Sequence, residues 1–83
     1  MRCHIVRRIQ TERGEIHLQM FPELPMVPSP GWTLRDANGR MIVVEATTLV
    51  LGKDAPPEVL CRLEGRAGVD LGTEEQAGWL SFP

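Results

Sequence analysis

The fold is decided by residues 30–51, which read PGWTLRDANGRMIVVEATTLVL. A short alternating segment containing Trp32 and Leu34 leads to an Asn38-Gly39 step, and a longer β-branched segment follows. Asn and Gly both tolerate the positive φ angles that a tight hairpin turn requires. The stretch therefore predicts a β-hairpin with its turn at Asn38-Gly39.

The second strand of this hairpin changes its apolar phase along its length. Ile42, Val44 and Ala46 share one parity, whereas Leu49 has the other. Because side chains alternate between the two faces of a strand, this change predicts a β-bulge or sharp bend, which we place near residues 46–48. Small barrels turn their corners in this way.

Two alternating segments that precede this hairpin, residues 3–10 and 15–21, predict another one. Their apolar sets have opposite parity. A four-residue loop between the segments brings both sets to one face by pairing Ile9 with Ile16. A two-residue loop would set two glutamates directly opposite each other, which is unfavourable, so we predict the four-residue loop.

The other segments are shorter or more irregular. Residues 22–30 hold four of the seven prolines and predict a crossing loop, because each proline removes a backbone donor from any strand ladder. Residues 58–64 alternate and predict a further strand, and residues 69–71 a short edge strand. Residues 73–76 have the spacing of a capping box, which predicts one helical turn. Residues 79–83 form an apolar tail.

Together these elements predict a single small domain over residues 1–83. Five to six short strands with short loops favour an all-β fold, namely an antiparallel meander coiled into an SH3-like barrel or a small sandwich. One short C-terminal helical turn is compatible with it. The likeness to SH3-like barrels rests on this architecture and on no sequence motif.

Composition and cysteine usage limit the class of protein. The net charge is −2 at pH 7, which disfavours a protein that mainly neutralises phosphates. The chain has two cysteines and no secretory apolar region, which predicts a cytoplasmic protein with reduced thiols. It also has no run of about 20 apolar residues, so we predict no membrane span.

The soft metal ligands are dispersed along the chain. Cys3 and His4 are neighbours, so in a strand they point to opposite faces. His4 and His17 share a face but lie about 13 Å apart in the predicted register, at roughly 3.3 Å per residue. Cys61 lies at an inward position, where a thiol behaves as a small hydrophobe. We therefore predict no metal site, no cofactor and no catalytic centre.

The first functional hypothesis is protein recognition. Large aromatic and aliphatic side chains at a chain terminus are favoured binding anchors, and Trp79, Leu80 and Phe82 are the candidates. The alternative for this segment is that it folds back and covers an open end of the core. An exposed sheet edge could also pair with a partner or, as a homodimer, with a second copy. The predicted function is an adaptor or inhibitor of a larger assembly, a class that phages and other mobile elements often encode.

The second hypothesis is nucleic-acid binding. Small β-barrels bind single strands through aromatic stacking on a basic face. Arg8, Arg35 and Arg40 would supply the charge and Trp32 the stacking platform. An aromatic content of 5% and the negative net charge weigh against this alternative.

Overall fold

The computed structural model describes residues 1–11, 14–52, 54–63 and 71–82. Its strands and helix are β1 (His4–Thr11), β2 (Gly14–Met20), β3 (Thr33–Arg35), β4 (Met41–Thr48), β5 (Glu58–Leu63), α1 (Leu71–Gln76) and β6 (Leu80–Phe82). The strands form one sheet in the order β3-β4-β5-β1-β2-β6. The predicted all-β class is confirmed. None of the described helices is long and apolar enough to cross a membrane.

The sheet is open and mixed, which corrects the predicted SH3-like barrel or sandwich built as an antiparallel meander. β1 and β5 pair in parallel, from His4 opposite Glu58 to Arg7 opposite Cys61, whereas the other neighbours are antiparallel. The chain leaves β2 and crosses to the far edge of the sheet before it forms β3. A simple meander is therefore interrupted between the second and third strands.

The crossing is made by the proline-rich segment, as predicted, and it is fastened to the N-terminus. The Met1 ammonium donates to the Leu24 carbonyl at 2.7 Å, and the Leu24 amide donates to the Met1 carbonyl at 2.8 Å. Further along, the Thr47 hydroxyl donates to the Pro28 carbonyl at 2.7 Å. Leu24 and Val27 pack against the core, so the segment covers part of one face of the sheet.

The first hairpin has the predicted register. Ile9 lies opposite Ile16, which brings the two apolar sets to one face. The ladder continues to Thr11 opposite Gly14, so the connection is shorter than the predicted four-residue loop. The residues between these two lie outside the described part of the chain.

The central hairpin also forms, but with a wider connection than the Asn38-Gly39 step predicts. β3 and β4 pair through Arg35 opposite Met41, which leaves residues 36–40 as the loop. The Gly39 amide donates to the Asp36 carbonyl at 2.9 Å, and Gly39 has a φ of 78°. Among the described non-glycine residues, none has a positive φ, so Asn38 does not. The asparagine therefore lies in an ordinary turn conformation, and only the glycine uses its conformational freedom.

The predicted irregularity of β4 is present slightly earlier in the strand. The register against β5 shifts between Val44 and Ala46. Val44 remains buried, whereas Ala46 is exposed and pairs with Leu60. Because the bulge inserts one residue, the phase changes at Glu45, ahead of the predicted 46–48.

The C-terminal region departs most from the sequence-based prediction. Helix α1 begins two residues before the predicted capping box, and Leu71 is its first residue, so it is not part of an edge strand. Residues 64–70, which include the end of the predicted fifth strand and the rest of that edge strand, lie outside the described residues. Gly78, with a φ of 99°, follows the helix, and β6 then pairs with β2.

The core lies on one face of the sheet, between the strands, the crossing segment and the C-terminal region. It consists of Cys3, Ile5, Ile9, Leu18, Ile42, Val44, Val59, Cys61 and Trp79. Two charged residues, Arg7 and Glu74, are as deeply buried as these apolar side chains.

Candidate functional site

The centre of the core contains a buried ion pair. Arg7 occupies an inward position of β1, and Glu74 reaches it from α1. The Arg7 Nη2 atom lies 2.6 Å from the Glu74 Oε2 atom, and both side chains are fully buried. Arg40, which is partly exposed, places its Nη1 atom 2.6 Å from the other carboxylate oxygen, Oε1. Glu74 therefore bridges a buried and a peripheral guanidinium group.

Asp36 completes this cluster from the β3–β4 loop. Its Oδ1 atom accepts hydrogen bonds from the backbone amides of Asn38 at 2.9 Å and Arg40 at 3.0 Å. Its Oδ2 atom accepts one from the Trp79 indole at 3.2 Å and lies 3.8 Å from the Arg7 Nη1 atom. The carboxylate thus joins the central hairpin to the C-terminal segment.

Trp79 closes the cluster with its ring. The Arg7 guanidinium carbon lies 4.7 Å from the ring centroid, which is a cation–π contact. Among the described residues, none is a hydrogen-bond partner of the three Arg7 guanidinium nitrogens by geometry, although Glu74 is close. The buried Arg7 guanidinium is therefore stabilised by the nearby carboxylates and by the face of the Trp79 ring. Charge interactions are strong in such a buried environment.

We refer to Arg7, Asp36, Arg40, Glu74 and Trp79 as the clasp. It holds two guanidinium groups and two carboxylates, so its formal charge is balanced. Its members come from β1, the β3–β4 loop and the C-terminal region, and together they fasten α1 and β6 to the sheet. Four of the five side chains are buried, and only Arg40 is partly exposed.

The clasp determines the placement of the C-terminal anchor candidates. Trp79 has no exposed surface, so it belongs to the core and is not available as a binding anchor. Leu80 keeps 56% of its surface exposed. The side chain of Phe82 lies outside the described part of the structure. Of the three candidates, Leu80 is the one shown to be accessible.

The opposite side of the sheet, which we call the outer face, is open. Strand pairing aligns one residue from each of five neighbouring strands in a row across it: Ala46, Leu60, Val6, Gln19 and Leu80. Among the described residues on this face, none is buried. The row is apolar at four of its five positions and interrupted only by Gln19.

Charged side chains border this row on one side. The Glu45 carboxylate lies 3.9 Å from the Arg8 Nη2 atom and 3.5 Å from the Arg62 Nε atom. All three side chains are substantially exposed, so each pair contributes at most about 1 kcal/mol. The bulge at Glu45 thus places a carboxylate between two arginines beside the apolar row.

The other border is aromatic. The rings of His4 and Phe21 stack with centroids 4.5 Å apart, and the His4 Nε2 atom lies 2.8 Å from the Gln19 Oε1 atom. His17 is engaged separately, with its Nε2 atom 2.7 Å from the Glu15 Oε1 atom. The two histidines therefore have different partners.

The structure does not bring the nucleic-acid candidates together. Arg8 is on the outer face, whereas Arg40 belongs to the clasp. The Trp32 carbonyl accepts from the Val44 amide, so Trp32 lies opposite a residue whose side chain points into the core. Arg35 contacts the Met41 sulfur at 3.6 Å. The four residues thus do not form a single basic and aromatic surface.

The two thiols are free and buried. Burial raises the pKa of the Cys61 thiol to about 11, with a smaller contribution from the nearby Glu45 carboxylate. Burial also raises the pKa of Cys3. Both groups are therefore neutral near pH 7 and poor nucleophiles. In the described residues, histidine, cysteine and acidic side chains form no group of three that could hold a metal ion.

The edges of the sheet are short. β3 and β6 contain three residues each and form the two edges of the described sheet. Their length limits how many ladder hydrogen bonds an added strand could make.

Comparison with known proteins gives no relative: no family model, curated protein or solved structure matches this chain.

Sequence reasoning missed the clasp because polar residues in strands and turns usually face water. The available signal was the parity of Arg7, which lies between Ile5 and Ile9 on the apolar side of β1. The acceptor role of Asp36 had no comparable signal, since aspartate is common in turns for local reasons.

Proposed function

We propose that this protein is a non-enzymatic binding module whose outer face docks a protein partner. The observation that carries the proposal is the row Ala46, Leu60, Val6, Gln19 and Leu80, which crosses five strands on an open face. Antiparallel sheets commonly keep one face solvated, and such a face is usually polar. An apolar band across this face favours contact with another macromolecule.

The surroundings of the row fit a protein interface. Such interfaces combine an apolar centre with a polar rim that stays partly hydrated. Here the rim consists of Arg8, Glu45 and Arg62 on one side and the stacked His4 and Phe21 on the other. Because Glu45 offsets the two arginines, the rim favours a partner of mixed charge over a polyanion.

The role that fits a small binder of this kind is that of an adaptor or inhibitor of a larger cytoplasmic assembly. Its energy of binding would come from burying Leu60, Val6 and Leu80, at about 25 cal/mol per Å² of apolar surface. Leu80 is the one C-terminal anchor candidate that lies on this row. The tail therefore contributes to the proposed site through its exposed strand residue.

Affinity capture with matched variants tests this proposal. Ala46→Glu and Leu60→Glu place a charge on the row, and Leu49→Glu places one on an exposed leucine outside it. We expect a partner captured from the native host to be retained by Leu49→Glu and reduced at least tenfold by both row variants. Thermal melts must show that the row variants are folded. Equal capture by all three variants would exclude the outer face as the site.

Nucleic-acid binding through Arg8, Arg35, Arg40 and Trp32 is tested separately with mixed-sequence oligonucleotides. We expect no binding at about 50 mM salt, because the cations are dispersed and two of them are paired with carboxylates. Tight binding that weakens steeply as salt is added would favour this alternative over a protein partner.

A further inference from the structure

A partly open cavity of about 180 Å³ lies on the core side of the sheet, opposite the outer face. Its walls are mainly apolar and come from β1, β2, β3, β4, the crossing segment and the residue before β6. The principal contributors are Ile5, Met20, Leu24, Leu34, Ile42 and Trp79. The cavity is therefore separate from the surface of the proposed function.

The charged residues at this cavity disfavour a cationic ligand. Asp36 contributes to the lining, but both of its oxygens already accept hydrogen bonds within the protein. An ammonium group entering here would have to compete with the Trp79 indole and with Arg7. Arg35 also borders the cavity, and its guanidinium group is directed to the Met41 sulfur. The local charge thus disfavours a cation, and the mainly apolar walls favour an uncharged occupant.

The volume sets the size of that occupant. An apolar cavity of about 150 Å³ stays dry and accommodates benzene in other proteins. The present cavity is slightly larger, and one wall is the buried ring of Trp79. Because Trp79 has no exposed surface, a guest packs on the aliphatic side chains of the lining, and a molecule about the size of benzene matches the volume.

We infer that this cavity is a binding site for a small, uncharged, apolar molecule about the size of a single benzene ring. The ligand inserts between Leu24 and Leu34 and lies close to the buried Trp79, whose indole N–H can report its binding. No hydrogen bond orients it, so selection depends on size and on the absence of charge. Binding leaves the clasp intact, because the Trp79 indole N–H remains on Asp36.

Toluene is the probe for the first test, with benzylammonium as its charged counterpart. The reporter is the NMR resonance of the Trp79 indole N–H, which the Trp32→Phe variant distinguishes from that of the exposed Trp32. We expect toluene to shift this resonance saturably and benzylammonium to bind at least tenfold more weakly. Equal binding of the two probes, or no saturable shift with toluene, would overturn the inference.

A cavity-filling variant provides the second test. Leu24→Phe adds an aromatic ring to the lining and should weaken toluene binding at least tenfold. Leu49→Phe makes the same change on an exposed leucine that does not line the cavity, and it should leave the affinity unchanged within twofold. Unchanged toluene affinity in folded Leu24→Phe would place the probe elsewhere and refute the assignment.

If Leu24→Phe does not fold, the position of bound toluene can be determined in the wild-type protein instead. Intermolecular nuclear Overhauser effects from the toluene ring should reach the methyl groups of Ile5, Leu34 and Ile42. Contacts confined to exposed residues such as Leu51, or to the outer face, would contradict the inference. Neither outcome depends on whether a protein partner docks on the outer face.

Discussion

Replacing Glu74 by glutamine should destabilise the protein strongly, because it removes the anion that faces Arg7. Both side chains are fully buried, and the two closest atoms are 2.6 Å apart. Breaking a buried ion pair by removing one partner costs about 3–5 kcal/mol, since the remaining charge is left in a poorly solvated site. Asp36, 3.8 Å from Arg7, compensates in part, so we expect a value near the lower limit, about 3 kcal/mol.

That loss is large relative to the free energy of unfolding of the whole domain. A chain of 83 residues has a free energy of unfolding of about 4–12 kcal/mol. At about 4–8 °C per kcal/mol, the melting temperature of Glu74→Gln should fall by about 12–25 °C. Urea titration and thermal melts followed by circular dichroism measure both quantities.

Glu75→Gln is the matched control. Glu75 is the next residue of α1 and is exposed, so the same substitution there should change stability by less than about 0.5 kcal/mol. A second variant, Arg7→Met combined with Glu74→Gln, removes both buried charges and should recover part of the lost stability. A cost below about 1 kcal/mol for Glu74→Gln would show that Arg7 is hydrated or otherwise paired, and would refute the clasp as described.

Three further perturbations follow from the same structure. Trp79→Phe removes the hydrogen bond to Asp36 and should cost about 1–3 kcal/mol in urea titrations, whereas the exposed Trp32→Phe should cost much less. Gly39→Ala should cost about 1–2 kcal/mol by the same measurement, because the φ of 78° is unfavourable for alanine although its added Cβ would meet nothing within 4 Å. Burial raises the pKa of Cys61 from 9.0 to about 11, so the folded state disfavours a thiolate that the unfolded chain forms readily. Stability should therefore decline between about pH 9 and pH 11, less so in Cys61→Ala, and an unchanged difference between the two proteins across that range would contradict the assignment.

The first hairpin could be predicted from sequence because its determinants are local. The opposite parity of the two apolar sets allows few registers, and like-charge repulsion disfavours one of them. The structure accordingly pairs Ile9 with Ile16 and Ile5 with Met20. The bulge in β4 was visible for the same reason, since a change of phase within one strand requires an inserted residue.

The arrangement of the strands could not be predicted in the same way. The parallel pairing of β1 with β5 joins His4 to Glu58, more than fifty residues away, and alternation says nothing about which strands become neighbours. Alternation of Val59 and Cys61 fits the centre of a mixed sheet as well as a meander. Whether the strands form a mixed sheet or a meander depends on the sheet edge to which the rigid crossing segment leads the chain.

The candidate site shows the same division between local and distant determinants. Both alternatives for Trp79, anchor or core, agreed with its position near the chain end. The outcome depends on Asp36 and Arg7, which supply an acceptor and a cation for its ring from distant segments. Glu74 likewise lay within the predicted capping box with no sign of a buried partner, because its counterion Arg7 is 67 positions earlier in the chain.

During synthesis on the ribosome, the distance along the chain between Arg7 and Glu74 delays the formation of their ion pair. The hairpin of β1 and β2 emerges before Glu74, whose carboxylate neutralises Arg7 and is made 67 residues later. We expect a nascent chain that ends at residue 70 to keep this guanidinium in water and therefore to remain open to proteases along β1. Emergence of residues 71–82 would then convert a degradable polypeptide into a resistant one, and protease digestion of stalled chains of increasing length would detect that step. Equal resistance of the shorter chain would show that the hairpin becomes dry without its counterion.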